Sequence, residues 1–336
     1  MLPAEVQNWA DGGRLLATSA GSVFVRSAPG EGPTVLLLHG FPSSSFDYRE
    51  VVTGLAGRSW VTLDFLGFGL SDKPRWAGAQ RLGSRRRPHT YSLLEQADLV
   101  QEVLAQTGTG PVSLVAHDMG TSVATELLAR DVEGRLPFDL RSAVLTNGSV
   151  ILERASLRPS QKVLRGPLGP VMSRLIGRGG FVRGFGRLFG ADHPLTAQEA
   201  EAQWALLAHN DGDRITHLLC AYLDERVRYA SRWHGAISAW QKPLSFLWGL
   251  DDPVATVNVL AGLRDLRPAA KVVELPGIGH YPQVEVPDVF APGRLSVCFS
   301  CEWRRTPGGP PRYRPDGVRS TGPAIGRSGA GCARDR

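Results

Sequence analysis

Long apolar runs are missing from this chain of 336 residues. No stretch reaches the roughly 18 consecutive apolar side chains that a membrane-crossing helix needs, so no stable membrane span is expected. Sulfur is scarce as well, with four Cys and three Met. Four cysteines placed mostly outside the apolar segments do not describe a disulfide scaffold. Cys298 and Cys301 form a Cys-x-x-Cys pair, but only Cys332 follows and no nearby histidine completes a zinc site. The N-terminus, with Pro3, Glu5 and Asp11, lacks the basic-then-apolar pattern of a secretory signal, and a cytoplasmic location is the default expectation. Net charge is also absent from most of the chain. Residues 291–336 hold nine Arg and three acidic residues, a balance of +6 that equals the formal charge of the whole sequence, so residues 1–290 sum to zero. The basic character belongs to the tail and says nothing about an acidic substrate.

What is present is enough to build a full core. Apolar residues make up 42% and charged residues 21% of the chain, as in an ordinary globular domain. Residues 14–26 suggest a hairpin, and 33–145 alternate apolar strands with helical patterns, which implies an α/β fold with a mostly parallel sheet covered on both faces. Strand alternation stops between 149 and 240, where helical runs and glycine-rich turns suggest a lid inserted into the core. The core therefore comprises 14–148 and 241–290. An amphipathic closing helix is anticipated after Phe290. Instead the tail turns to Pro, Gly, Ser and Arg without Lys, the pattern of an out-of-frame translation of a GC-rich gene, and is expected to be disordered.

The stretch richest in chemical information is Val112-Ser113-Leu114-Val115-Ala116-His117-Asp118-Met119-Gly120-Thr121. An apolar strand breaks at a turn framed by small residues, and a helical pattern follows. This is the layout of a nucleophile elbow, in which a sharp strand-to-helix turn pushes its central side chain outward. The side chain here is Asp118. A carboxylate is ionised at neutral pH and attacks without a base. Acyl transfer to it would give a labile anhydride, whereas attack on saturated carbon gives an alkyl ester that water must cleave. A small apolar electrophile, an epoxide or an alkyl halide, is the matching substrate.

Partners for Asp118 occur on both sides of it. Upstream, the strand Thr34–Leu38 ends in His39-Gly40-Phe41-Pro42, where glycine permits close backbone approach and Pro42 can adopt the cis form. The backbone N–H groups of Phe41 and Met119 are the expected oxyanion donors, and one such donor is typically worth about 3–4 kcal/mol in the transition state. Downstream, the strand Leu244–Trp248 leads to Asp251 and Asp252, and Gly277-Ile278-Gly279 leads to His280. The chain order nucleophile, acid, histidine is that of α/β-hydrolases. His280 is the expected base, oriented by Asp252, with Asp251 as the fallback.

His39-Gly40-Phe41-Pro42-Ser43-Ser44-Ser45-Phe46-Asp47-Tyr48, the segment Leu63 to Pro74 and the Asp118 elbow resemble epoxide hydrolases and haloalkane dehalogenases of the α/β-hydrolase superfamily. Tyr91-Ser92-Leu93-Leu94-Glu95-Gln96, Asn210-Asp211-Gly212 and Gly279-His280-Tyr281-Pro282-Gln283 resemble the mesoderm-specific transcript group in particular. The resemblance covers most of residues 20–290 and implies an aspartate nucleophile with no metal or organic cofactor. Residues 75–90 look like an insertion relative to these families. Arg85-Arg86-Arg87 within it is expected to be a basic surface loop, with no nucleic-acid partner.

Departures from the families bear on the substrate. Dehalogenases of this type hold the halide with side-chain N–H groups, commonly from a tryptophan just after the nucleophile. Met119 and Phe41 supply none at the corresponding positions. Epoxide opening needs a proton donor instead, usually a lid tyrosine. Tyr222 and Tyr229 lie seven apart and would share one face of a single helix. The expectation is an epoxide hydrolase, with haloalkane dehalogenase and a non-catalytic member of the fold as alternatives.

Overall fold

The computed structural model describes residues 2–75 and 89–290. The arginine run at 85–87, the Cys-x-x-Cys pair and the tail lie outside the described residues. Within them, one sheet contains β1 (Arg14–Thr18), β2 (Gly21–Ala28), β3 (Glu31–Leu38), β4 (Arg58–Leu63), β5 (Val112–His117), β6 (Leu140–Thr146), β7 (Leu244–Gly249) and β8 (Lys271–Leu275). The strand order is β1-β2-β4-β3-β5-β6-β7-β8. Hairpin β1–β2 and the β2–β4 pair are antiparallel, and every later pairing is parallel.

The helices preceding and between the early strands are α1 (Ala4–Asp11), α2 (Arg49–Gly54), α3 (Leu93–Thr107) and α4 (Met119–Val132). Between β6 and β7 the described chain has no strand. It holds α5 (Pro159–Arg165), α6 (Gly169–Leu175), α7 (Arg178–Gly186), α8 (Ala197–Ala208), α9 (Thr216–Leu219), α10 (Tyr222–Arg228) and α11 (Ala230–Ala239). Helix α12 (Val257–Leu266) and the short α13 (Pro282–Glu285) follow. None of these helices is long and apolar enough to cross a membrane.

The continuous apolar strands follow from burial on both faces. Leu36 and Leu38 join one cluster with Leu114, Ala116, Leu145 and Phe246, against Val100, Leu127 and Trp233 from α3, α4 and α11. The alternate residues Val35, Leu37, Val115, Val144 and Leu247 join the other, against Tyr48, Val51, Leu55, Val289 and Phe290. Both faces are thereby covered, the second by α2 and the residues after α13. The start of helix α3 is capped: the Ser92 hydroxyl accepts the Leu94 N–H at 3.2 Å, and Glu225 of α10 accepts the Leu93 N–H at 2.6 Å.

Helix α4 is buried from Met119 to Arg130 and runs directly out of β5. This is possible because Gly120 has no side chain. A Cβ there would stand 2.5 Å from the His39 carbonyl oxygen and 2.6 Å from that of Leu38, both rigid strand-end backbone. Gly120→Ala is expected to destabilise the protein by about 1–3 kcal/mol through forced displacement of α4. Chemical denaturation checks this, with an unchanged m-value if the denatured state is unaltered.

Candidate active site

Strand β5 ends at His117, and Asp118 turns the chain into α4 with φ 40° and ψ −110°. A non-glycine residue in this region is strained and persists only when its surroundings hold it. Three donors do so at the Asp118 carbonyl: the Thr121 N–H at 3.0 Å, the Thr121 hydroxyl at 2.6 Å and Arg226 Nη2 at 3.0 Å. The carboxylate is thrown outward, where it lines a cavity of about 600 Å³. Its Oδ2 accepts the Phe41 N–H at 3.0 Å. Gly40 permits this approach, because a Cβ there would lie 2.6 Å from the Asp118 Cβ. Met119 is the first residue of α4, so its N–H is among those that a helix leaves without an internal partner.

The strand-end loop carrying Phe41 is itself fixed. His39 Nδ1–H donates to the Gly40 carbonyl at 2.8 Å, and His39 Nε2 accepts the Phe65 N–H at 3.0 Å. Burial lowers the His39 pKa and keeps the ring neutral, in the tautomer these two bonds require. The Phe41–Pro42 peptide bond is cis.

His280 sits in the loop after β8 and lines the same cavity as Asp118. Its Nδ1–H donates to Asp252 Oδ2 at 2.7 Å. Asp252 accepts three further hydrogen bonds, from Asn147 Nδ2 at 2.8 Å, Val254 N–H at 2.7 Å and Ala255 N–H at 3.1 Å. Burial alone would raise the Asp252 pKa, but the His280 charge and these donors outweigh it and leave it below its ordinary value. Burial likewise pushes His280 down, yet the Asp252 charge and hydrogen bond, helped by Asp118, leave it raised above 6.5. Asp251 is exposed, and its N–H bonds the Ile278 carbonyl at 2.9 Å, so the fallback carboxylate does not face the histidine.

Several residues that shape this arrangement were not legible in the sequence. Asn147, with φ 43°, also accepts the Gly249 N–H at 2.9 Å and so ties the end of β6 to the loop bearing Asp252. His117 Nε2–H donates to the His280 carbonyl at 2.7 Å, and burial with the nearby His280 charge pushes its pKa down to about 3, leaving a neutral anchor. Glu285 accepts N–H groups from Gly279 at 2.9 Å and Tyr281 at 3.1 Å, on either side of His280, and from Gly190 at 2.9 Å. The His280 N–H meanwhile donates to the Leu188 carbonyl at 2.7 Å.

Arg226 shapes the site most and carries no signal in the sequence. It is 1% exposed, donates Nε to the Ser122 hydroxyl at 2.8 Å, and lies 3.4 Å from Asp118 Oδ1. Its guanidinium stacks over the Tyr222 ring at 4.6 Å. The two tyrosines part company. Helix α10 ends at Arg228, so Tyr222 and Tyr229 do not share one helix face. Tyr229 packs on Trp233 outside the cavity lining. Tyr222 is buried beside Phe41, and its hydroxyl accepts Gln161 Nε2–H at 3.3 Å; Gln161 lines the cavity.

The model of the α/β hydrolase fold family matches residues 33–287. The chain belongs to that family. It is 67% identical over 297 residues to LipZ of Mycobacterium tuberculosis, a hydrolase by name, covering 88% of this chain and 99% of that one. The mesoderm-specific transcript protein of Mus musculus is 34% identical over 303 residues, covering 86% of each. Among solved structures, haloalkane dehalogenase DbeA from Bradyrhizobium elkani superimposes with a TM-score of 0.68 at 22% identity, covering 85% of this chain and 96% of that one. The last likeness is one of fold. Together these place the protein among the hydrolases of the α/β-hydrolase superfamily.

Two outcomes follow from the geometry. Arg226→Met strands the Asp118 carboxylate without its cation and should cost about 3–5 kcal/mol of stability, as for other broken buried pairs. In a double-mutant cycle with Asp118→Asn the two losses should be non-additive; additive losses would mean that Arg226 acts through the Asp118 carbonyl and Ser122 alone. The raised His280 pKa sets the second outcome. The neutral ring exists only above that pKa, so any step using it as a base should fall away with acid at a midpoint above 6.5. Stability runs the other way: the His280 contribution is full below 6.5 and is lost as pH rises through the folded-state pKa. Paired pH profiles of turnover and of denaturation midpoint check both signs.

Proposed function

We propose that this hydrolase opens epoxides to diols through a covalent ester on Asp118. The observation that carries the proposal is a carboxylate, in place of a hydroxyl, at the outward position of the elbow, facing a cavity it shares with His280. In the first step an Asp118 carboxylate oxygen attacks one ring carbon, the carbon–oxygen bond breaks, and the alkoxide takes a proton from the Tyr222 hydroxyl. Burial pushes the pKa of Tyr222 well up and keeps the hydroxyl protonated, and because Gln161 donates to its oxygen the hydroxyl hydrogen is left free to be given elsewhere.

In the second step His280 takes a proton from water, and the resulting hydroxide adds to the Asp118 carbonyl carbon. The Phe41 and Met119 N–H groups hold the oxyanion, and Asp252 stabilises the imidazolium. Collapse breaks the ester bond, the departing alkoxide takes the proton of the new carboxyl group to become the diol, the carboxylate is restored, and the imidazolium proton returns through water to the Tyr222 phenolate. Neither step calls on a metal or organic cofactor. Dehalogenation would use the same ester but needs donors for a departing halide. The indole N–H groups of Trp9, Trp233, Trp240 and Trp248 are already given to Ser45, Glu126, Asp131 and Ala255. No described tryptophan lines the cavity, which supports the epoxide reading.

His280→Gln removes the base and should stall the enzyme at the ester. Intact-protein mass spectrometry after incubation with mixed epoxides and alkyl halides should find Asp118 heavier by a whole epoxide. An adduct of alkyl without halogen would establish dehalogenation instead. No adduct on folded protein would defeat the nucleophile assignment for both substrate classes.

A further inference from the structure

Eight large apolar side chains are exposed among the described residues. Leu15, Val132, Val227 and Val257 are scattered singly, which is ordinary for a protein surface. The other four, Val163, Leu168, Val171 and Leu175, fall within 163–175, on α5, α6 and the turn between them. Leu168 is 63% and Leu175 is 69% exposed. Val163 and Leu175 also line the cavity that holds Asp118, so the patch stands at its mouth.

Charge marks the same face. Residues 155–191 contain seven Lys or Arg and no Asp or Glu, within a 1–290 stretch whose charges sum to zero. Arg165 and Arg178 reach Asp224 and Glu201 on other helices. Lys162 and Arg174 are exposed on α5 and α6 themselves, and Arg183 and Arg187 are exposed on and just after α7, where Arg187 lines the same cavity. Whatever covers this face must be apolar within and anionic at its surface. A second copy of the chain would bring the same cationic run. The chain's remaining segments fit no better: 76–88 carries four Arg and no acid, and 291–336 has a balance of +6. An anionic bilayer meets both requirements, with Leu and Val entering the headgroup region and Lys and Arg stems reaching back to phosphate.

We propose that the α5–α6 face docks on anionic lipid membranes, so that the cavity mouth opens onto the lipid phase and admits an amphiphilic electrophile bearing an alkyl chain. The cavity walls suit such a chain: Leu164, Met172, Ile176 and Phe181 line them. Docking stands on the lid surface alone, and only the reacting group of the substrate rests on the proposed Asp118 chemistry.

Co-sedimentation of the full chain tests the proposal, with phosphatidylcholine vesicles that contain either no anionic lipid or about one-third phosphatidylglycerol. Binding is expected to the anionic vesicles and to weaken with salt. Arg174→Glu with Arg183→Glu should reduce it by at least about twentyfold, since each cation near such a surface is worth about fivefold in affinity. Leu168→Asp with Val171→Asp should abolish it and leave hydrolysis of a water-soluble substrate intact, because neither residue lines the cavity. Equal binding to neutral vesicles, no binding at all, or wild-type binding by both variants would overturn the proposal; the last result would assign binding to another basic segment. A wild-type dimer that Leu168→Asp dissociates would overturn it in favour of a second copy. Failure to trap an ester in His280→Gln would remove the Asp118 chemistry and leave the vesicle result standing.

Discussion

The positive φ of Asp118 is the constraint on which the rest of the structure depends. A side chain held in this region carries about 1–3 kcal/mol of strain, and its neighbours are arranged around keeping it there. A Cβ on Gly40 would collide with the Asp118 side chain, and one on Gly120 would collide with the end of β3 against which the turn packs. Thr121 and Arg226 saturate its carbonyl oxygen, which would otherwise be a buried acceptor at a kinked turn. Strand β3 must end where it does so that the Phe41 N–H meets the carboxylate. A local backbone requirement thus fixes residues from two strands, a helix and a helix inserted more than a hundred positions later.

Two aspartates in one site have been given opposite surroundings. Asp252 accepts four hydrogen bonds across its two oxygens and sits beneath His280, so it can orient and stabilise but has no free lone pair facing a substrate. Asp118 accepts the Phe41 N–H on one oxygen, and the other has only a long contact to Arg226. It keeps an accessible face in the cavity. The two carboxylates differ in donor count and in access to the cavity, with the same functional group in both places.

The sheet and its order of elements were legible because burial on both faces forces continuous apolar strands, and the elbow was legible because its small residues are adjacent in sequence. Distance in sequence hid the rest. Arg226 lies among acidic and basic neighbours on α10, and no periodicity distinguishes a guanidinium that points into the core from those around it. Asn147 reads as an ordinary strand-end residue until Gly249 and Asp252 are brought to it. Tyr222 and Tyr229 were paired on the assumption of one helix, but the chain leaves helical geometry at Tyr229, and their side chains end in different environments. Asp251 and Asp252 cannot be separated by composition; the turn after β7 exposes the first and buries the second.

Glu285 gives the site a mechanical property. One carboxylate grips the backbone on both sides of His280 and, through the Oε2 that also takes the Gly279 N–H, the Gly190 N–H that follows α7. With the His280 N–H bond to the Leu188 carbonyl, this ties the 188–190 segment after α7 to the imidazole-bearing loop at two points. Any outward swing of the 188–190 segment must either drag the histidine with it or exchange these two hydrogen bonds for bonds to water. Displacement of the cavity wall at Leu188 and reorientation of the His280 ring consequently lie along one coordinate.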